Sequence, residues 1–519
     1  LNAQAQNYSG SRLPDRVIRQ VIDGRGSEMK TVGEFARTYD NPVRIIQFGE
    51  GNFLRAFWGK AIHELNGSGA YAGQICVVQP IPAGRVAALA DQNYLYTVML
   101  QGPAHEEVSL VESIKTGINP YENYEAFLAL AEDPHLRIMI SNTTEAGIVL
   151  DPSDSIEGQP PRTFPGKLLA FLYRRYTTFS GRPGSGLLHF PCELIENNGN
   201  ELKRILLELA SSLKLEMSFI EWVDRENVFF NTLVDCIVTG YPHDEADSIA
   251  RRLGYNDPLL VKAEAYQLLV ISGDDSYRHE FPISEASMKV VWTDDLAYYR
   301  EIKVRIMNGF QTMLAHCGFL AGIHTEREAL NHPVVGPFMV NGLYECIVPA
   351  LPFAEKDKLE FAQTMLKRLD NPNIKHVLQD INLNSFTKFQ TRLQPSLEYW
   401  AAEGAIPDFL LFSLALVLSL YQIDEIEEGQ FSAAACGRRY PVFDTPENLE
   451  LLHHIRQQVA FSDVHGYCRA LIHEKRLWRK PLPLSDAEIE RTSALLERIE
   501  EYGVLKTIAE LSSKGTVES

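Results

Sequence analysis

Between residues 43 and 239 the chain alternates short apolar runs with longer amphipathic ones. Val43-Arg44-Ile45-Ile46-Gln47-Phe48 reads as a strand, Gly49-Glu50-Gly51 breaks it, and a helical stretch follows over residues 52 to about 65. Residues 75–78 read as the next strand. Helix over 124–131, strand over 136–141, helix over 168–176 and strand over 187–190 continue the alternation, and a further cycle runs through 231–239 to Gly240-Tyr241-Pro242. Strands that alternate with helices and are apolar on both faces predict a parallel sheet covered on both sides. From about Trp292 the texture changes to long amphipathic stretches at 359–369, 409–421, 447–460 and 486–503, with few strand candidates, which predicts a mostly helical domain. Residues 254–287 carry neither pattern clearly. Gln159-Pro160-Pro161 and Arg182-Pro183-Gly184 read as surface loops, and Asn197-Asn198-Gly199 as a plain turn. The organisation expected is a polar N-terminal extension (1–40), an α/β Rossmann-type domain (41–285) and a mostly α-helical domain (286–519).

Composition narrows the function classes. The 519 residues include 68 acidic and 49 basic side chains, and the net charge of -19 repels nucleic-acid backbones and anionic lipid. A small anionic substrate remains open, because a local cluster of Lys and Arg outweighs the net field inside a cleft. The seven cysteines are scattered and odd in number, with no spacing that holds zinc, so no metal is expected and reduced thiols are. No apolar run approaches the ~20 residues of a membrane span, and the N-terminal residues lack a signal-peptide core, so a cytoplasmic protein is expected.

Three places carry candidate chemistry. The Gly49-Glu50-Gly51 turn, directly after a strand and opening a helix, lies where a dinucleotide pyrophosphate binds. Arg55 is positioned to add a positive charge, although Leu54 stands where a third glycine belongs; the alternative is an ordinary strand-to-helix turn. The second strand runs into Gln79-Pro80-Ile81-Pro82 without the acidic residue that commonly bonds a ribose, and Arg85 follows, which leaves NAD and NADP both open. Asn142-Thr143-Thr144-Glu145-Ala146-Gly147 follows another strand at its carboxyl end and suits either a ribose or nicotinamide contact or a simple turn. In the third place, α-helical spacing puts Ile302, Ile306, Phe310, Met313, Leu314 and Cys317 on one face, with Lys303 pointing into it. A desolvated lysine has a lowered pKa and serves as a proton donor and acceptor; the alternative is a lysine that snorkels from the core edge. Asn308 lies ~140° around the same helix from Lys303, with Gln311 at ~80°. An amide N–H there suits a developing alkoxide, or simply helix packing. No H-E-x-x-H, G-x-S-x-G, P-loop or EF-hand pattern is present, so hydrolase and kinase readings drop out.

The run from Ile45 to Phe57, the Lys303 to Asn308 spacing, and Val234-Asp235 before Ile237-Val238 resemble the long-chain polyol dehydrogenase family that includes mannitol dehydrogenase, above all its tagaturonate reductase (altronate oxidoreductase) branch. Residues 141–148, 191–195, 233–242, Asn371-Pro372 and Ile374-Lys375-His376 carry the same likeness, which is strong over roughly 43–425. The resemblance implies a metal-free, NAD-dependent oxidoreductase, with NADP not excluded, that reduces tagaturonate to altronate. It assigns Lys303 as catalytic acid and base and Asn308 as the amide that polarises the substrate oxygen. Lys388, Arg392, Gln311 and Asp235 fall to the substrate, with Lys388 and Arg392 gripping a carboxylate; locally these two read equally as a solvated basic face. Ile45, Ile46, Gln47, Phe48, Gly49, Glu50, Gly51, Asn52, Phe53, Leu54, Arg55, Ala56, Thr144 and Glu145 fall to the cofactor. Three positions depart from the family. Gln311 replaces a common histidine, Leu194 stands at a second oxyanion asparagine, as in the tagaturonate branch, and Cys236 replaces an arginine. Reduction of fructuronate to mannonate or of fructose to mannitol, a silent nicotinamide-binding sensor, and a helical interaction protein with a vestigial α/β domain are the competing expectations.

Overall fold

Six strands form an all-parallel sheet: β1 (Val43–Phe48), β2 (Gln74–Val78), β3 (Ile114–Ile118), β4 (Ile138–Ser141), β5 (Leu188–Pro191) and β6 (Val228–Phe229). They lie in the order β3-β2-β1-β4-β5-β6, so the winding reverses at β1, which is flanked by β2 and β4. Successive side chains serve opposite faces. Ile45, Val77, Ile138, Ile140, Leu188 and Phe190 enter one core, and Ile46, Phe48, Val78 and Met139 enter the other. This double burial explains why several of these strands read as largely apolar runs, as at Ile45-Ile46 and at residues 75–78. The computed structural model describes residues 29–103, 105–144, 147–460, 462–478 and 480–515; residues 1–28, most of the expected N-terminal extension, and Glu145 lie outside the described residues. The chain divides into two compact units, one ending at Leu296 and the other beginning at Ala297.

In the N-terminal unit, helix α1 follows β1 as one continuous run made of Asn52–Leu54, a π turn at Arg55–Gly59, and Lys60–Ser68, stopped by Gly69 at φ 79. The run at 231–239 is not another strand of the parallel sheet. Asn231–Asp235 pairs antiparallel with Leu268–Ser272, and Val238–Gly240 antiparallel with Val261–Glu264. Their partners come from the stretch at 254–287 that showed no clear pattern. Pairing between strands so far apart in sequence leaves no periodic trace.

In the C-terminal unit, save for its first residue, helix α2 comprises Leu296–Ile302, a π turn at Lys303–Asn308, and Gly309–Leu320. It packs on α3 (Ser385–Arg392) and on α4 (Asp408–Leu420), whose residues from Phe409 to Leu420 are all buried, as expected of a helix apolar all round. Helix α5 (Asp486–Tyr502) covers α4 and starts with a Ser485/Glu488 capping box. A three-stranded meander, Ile423–Glu427, Gln430–Ala435 and Arg438–Pro441, interrupts the helices that were expected there. Its two hairpins close through Glu428-Gly429 and Cys436-Gly437, every one of these residues at positive φ, the geometry of a two-residue type I′ loop. Among the described residues, no helix is long and apolar enough to cross a membrane.

Two glycines test the fold in opposite directions. Gly186, at the entry to β5, faces the backbone of Glu226 and Asn227, so a Cβ there collides with main chain that no rotamer change relieves. Gly67, inside α1, faces open space at ordinary φ. Gly186→Ala is expected to lower stability by ~1–3 kcal/mol, and Gly67→Ala to raise it by up to about 1 kcal/mol. Urea unfolding midpoints check both.

Candidate active site

In the N-terminal unit, the carboxyl end of β1 meets those of β2 and β4 at the switch point, where open α/β sheets bind ligands. Gly49 adopts φ 111, and its N–H donates to Val78 of β2 at 3.0 Å. The Asn142 N–H, after β4, donates to Phe48 at 3.2 Å. A side chain at Gly49 would press on the Asn142 carbonyl and on Leu54. Gly51, the N-cap of α1, has ordinary φ and is exposed, and among the described residues nothing beyond its chain neighbours lies within 4 Å of where a Cβ would sit. Neither the backbone nor a neighbour requires glycine there. The free space fits a pyrophosphate brought against the first N–H groups of α1.

The other loop residues hold this cradle from below. Ile45, Ile46, Phe48, Leu54 and Ala56 are buried in the two cores, Phe53 stacks on Phe57, and Gln47 donates its amide to the Gly49 carbonyl at 2.9 Å. Arg55 does not project toward a ligand. It is 1% exposed and donates to the Glu50 carbonyl, the Asn52 side chain and the Leu259 carbonyl, so it clamps the loop to the strand region at 261–264. Burial pulls its guanidinium down to about 10.

The loop after β4 carries an exposed Thr144 at φ 76, a strained conformation for a β-branched residue. A residue to which the sequence pattern gave no role fixes it. The buried Glu193, beyond β5, accepts from Ser141 Oγ at 3.0 Å and from Thr143 N and Oγ1, both at 2.9 Å. Burial raises the Glu193 carboxyl, and these donors oppose the rise. Asn198, read as part of a plain turn, is instead a buried clamp. Its amide donates to the carbonyls of Pro191, Glu193 and Thr232. Only their spatial neighbours give Glu193 and Asn198 these roles. Asp235 also lies in this unit, buried at the end of its antiparallel strand, with the part-buried Cys236 thiol facing the Ile237 carbonyl.

In the C-terminal unit, the π turn of α2 changes the angular relation read from α-helical spacing. Its end reaches back five residues, as Gly309 N–H does to the Val304 carbonyl, and in such a widened turn residues five apart diverge by far less than ~140°. Lys303 and Asn308 thus share a face, at 6% and 8% exposure. One turn on, Gln311 is 8% exposed and its Nε2 has no hydrogen-bond partner among the described residues, so a donor is left for a ligand.

Helix α3 approaches this face where Gly309 leaves room; a Cβ there would lie 3.3 Å from the Arg392 carbonyl. Arg392 Nη1 donates to Thr312 Oγ1 at 3.0 Å, and Thr312 Oγ1 donates to the Asn308 carbonyl at 2.8 Å. Lys388 donates to the Ile381 carbonyl at 2.6 Å. Both cations are part-buried and lie near His316, which is fully buried against Ser385 Oγ at 3.0 Å. Burial first, then Lys388 and Arg392, push His316 down to about 3, so this imidazole is neutral at physiological pH. The C-terminal unit therefore gathers a buried lysine, two amides and a cation pair on the facing helices α2 and α3.

Comparison with known proteins places the chain in a family. Residues 43–285 match the mannitol dehydrogenase Rossmann domain and residues 295–466 the mannitol dehydrogenase C-terminal domain. An altronate oxidoreductase of Halalkalibacterium halodurans is 38% identical over 480 residues, covering 90% of this chain and 93% of the relative. One from Bacillus subtilis is 38% identical over 479 residues, covering 91% and 96%. Among solved structures, the ternary complex of Pseudomonas fluorescens mannitol 2-dehydrogenase with NAD and D-mannitol has TM-score 0.75 at 22% identity, over 96% of this chain and 99% of that one. Substrate-free D-sorbitol dehydrogenase has TM-score 0.70 at 19% identity, over 91% and 96%. The chain belongs to the mannitol dehydrogenase family and is an oxidoreductase acting on CH–OH groups.

Proposed function

We propose that this chain reduces tagaturonate to altronate, reversibly and with NADH, by acid–base catalysis from Lys303 without a metal. The observation that carries the reading is the π turn over Lys303–Asn308, which turns these two buried residues toward one face, with Arg392 and Lys388 on the helix packed against it. The altronate oxidoreductases that align with 90% or more of the chain support the choice of substrate.

The Gly49-Glu50-Gly51 loop and the N-terminus of α1 would hold NADH, which would supply the hydride that the keto carbon of the substrate takes up. Negative charge then grows on the keto oxygen, and Asn308 aims an amide N–H at it. Lys303 delivers a proton to the same oxygen, so that carbonyl, hydride and proton yield the secondary alcohol; in oxidation the neutral lysine takes that proton back. Arg392 and Lys388 hold the substrate carboxylate through charge-assisted hydrogen bonds, and Arg392 is itself oriented by Thr312. Gln311 Nε2 donates to a substrate hydroxyl. It has no acid–base function, and the family's histidine chemistry is replaced here by hydrogen bonding alone.

Purified protein given tagaturonate, fructuronate or fructose separately is expected to oxidise NADH rapidly with tagaturonate only. Arg392→Ala and Lys388→Ala are each expected to raise the KM for tagaturonate by about 10- to 100-fold, the loss of one charge-assisted bond, with a smaller change in kcat. Comparable rates on fructose, or unchanged KM in both variants, contradict the carboxylate assignment. Lys303→Met is expected to lose about 10²–10⁴-fold in kcat, and Asn308→Ala about 10²–10³-fold, while both bind NADH as the parent does. Calorimetric titration beside steady-state kinetics separates the two effects.

A further inference from the structure

Rossmann-type sites commonly present a carboxylate at the end of the second strand to bond the adenosine ribose. Gln79 occupies that position here, and its amide is committed elsewhere, donating to the Ile81 and Pro82 carbonyls at 3.0 Å each. A carboxylate reaches the same place from another loop. Glu50, the middle residue of the glycine turn after β1, accepts the Arg85 N–H at 2.9 Å through Oε1. Gly84 is what allows the approach, since a Cβ there would collide with both Glu50 Oε1 and the Gln79 side chain. The carboxylate of Glu50, the end of β2 and the first residues of the following loop therefore converge on one spot.

We infer that Glu50 reads the adenosine ribose of the dinucleotide, accepting hydrogen bonds from its free hydroxyls and repelling a 2′-phosphate, so that this chain takes NAD in preference to NADP. The inference rests on the proposed reading of the N-terminal unit as a nicotinamide dinucleotide site and goes beyond it by naming the residue that discriminates. Glu50 is 7% exposed, so its charge is poorly screened by water and acts strongly on an anion brought beside it. Burial raises its carboxyl, while the Arg85 N–H and the Arg55 and Arg85 charges oppose the rise. The rival group is Arg85 itself, whose exposed side chain on the same loop would welcome a 2′-phosphate if it governed the site.

Isothermal titration of the full chain with NADH and with NADPH tests this. The parent is expected to bind NADH at least tenfold more tightly. Glu50→Gln, which keeps an oxygen for the Arg85 N–H but removes the charge, is expected to bring the ratio close to one by gaining NADPH affinity. Arg85→Ala is expected to leave NADH preferred. Equal or tighter NADPH binding by the parent, or an unchanged ratio in Glu50→Gln, overturns the inference while leaving dinucleotide binding intact. Failure of the parent to bind either nucleotide overturns the parent reading as well. Should Glu50→Gln not fold, ADP-ribose and its 2′-phosphorylated form competing for NADH on the parent decide the matter, and equal competition overturns the inference.

Discussion

The π turn at Lys303–Asn308 is the constraint on which the chemistry proposed for the C-terminal unit depends. A regular α-helix would carry Lys303 and Asn308 to different sides, and the apolar residues of α2 leave little freedom to twist the helix back, because Ile306, Phe310, Met313 and Leu314 are all buried. One wider turn solves both demands: the apolar stripe stays in the core while an ammonium and an amide five residues apart come onto one face. The packing of α3 follows from the same turn. Gly309 ends the widened segment and admits the Arg392 backbone, and the Thr312 hydroxyl then links Asn308 to Arg392 in a single chain of hydrogen bonds. Buried polar groups are costly unless partnered, so this chain orders the site as well as populating it.

The N-terminal unit uses the same economy of buried charge. Arg55 and Glu193 are almost inaccessible, and each is met by several hydrogen-bonding groups: carbonyls and an amide oxygen for Arg55, hydroxyls and a backbone N–H for Glu193. Both fix loops at the carboxyl ends of β1 and β4. The π turn at Arg55–Gly59 lies directly beneath the glycine loop and delivers Arg55 to it. The loops at the carboxyl ends of these strands are thus held from inside the protein, which leaves the small residues on their outer side.

Several parts of this organisation were legible in the chain itself. The strand at Val43–Phe48 was readable to its ends, because two-sided burial makes its run apolar and the glycine turn punctuates it. Helices at Glu355–Leu369, Asp408–Leu420 and Asp486–Tyr502 followed from their apolar spacing. The meander at 423–441 did not, since Ala433, Ala434 and Ala435 favour helix and the strand before them is acidic; the usable signal was the pair of X-Gly turns eight residues apart. Periodicity also could not show the π turn, because counting by α-helical steps presupposes the geometry in question. Glu193, Asn198 and Thr312 act through neighbours 34 to 80 positions away. Such roles belong to the fold.

The measurement closest to the central claim is amine rescue of Lys303→Ala, read as the pH dependence of kcat/KM for altronate oxidation. A lysine that accepts the alcohol proton predicts low activity in the variant, restored by methylamine in proportion to its free-base form, with the parent's dependence on pH replaced by that of the added amine. Near-parental turnover without amine, following the parent's pH profile, would contradict the account.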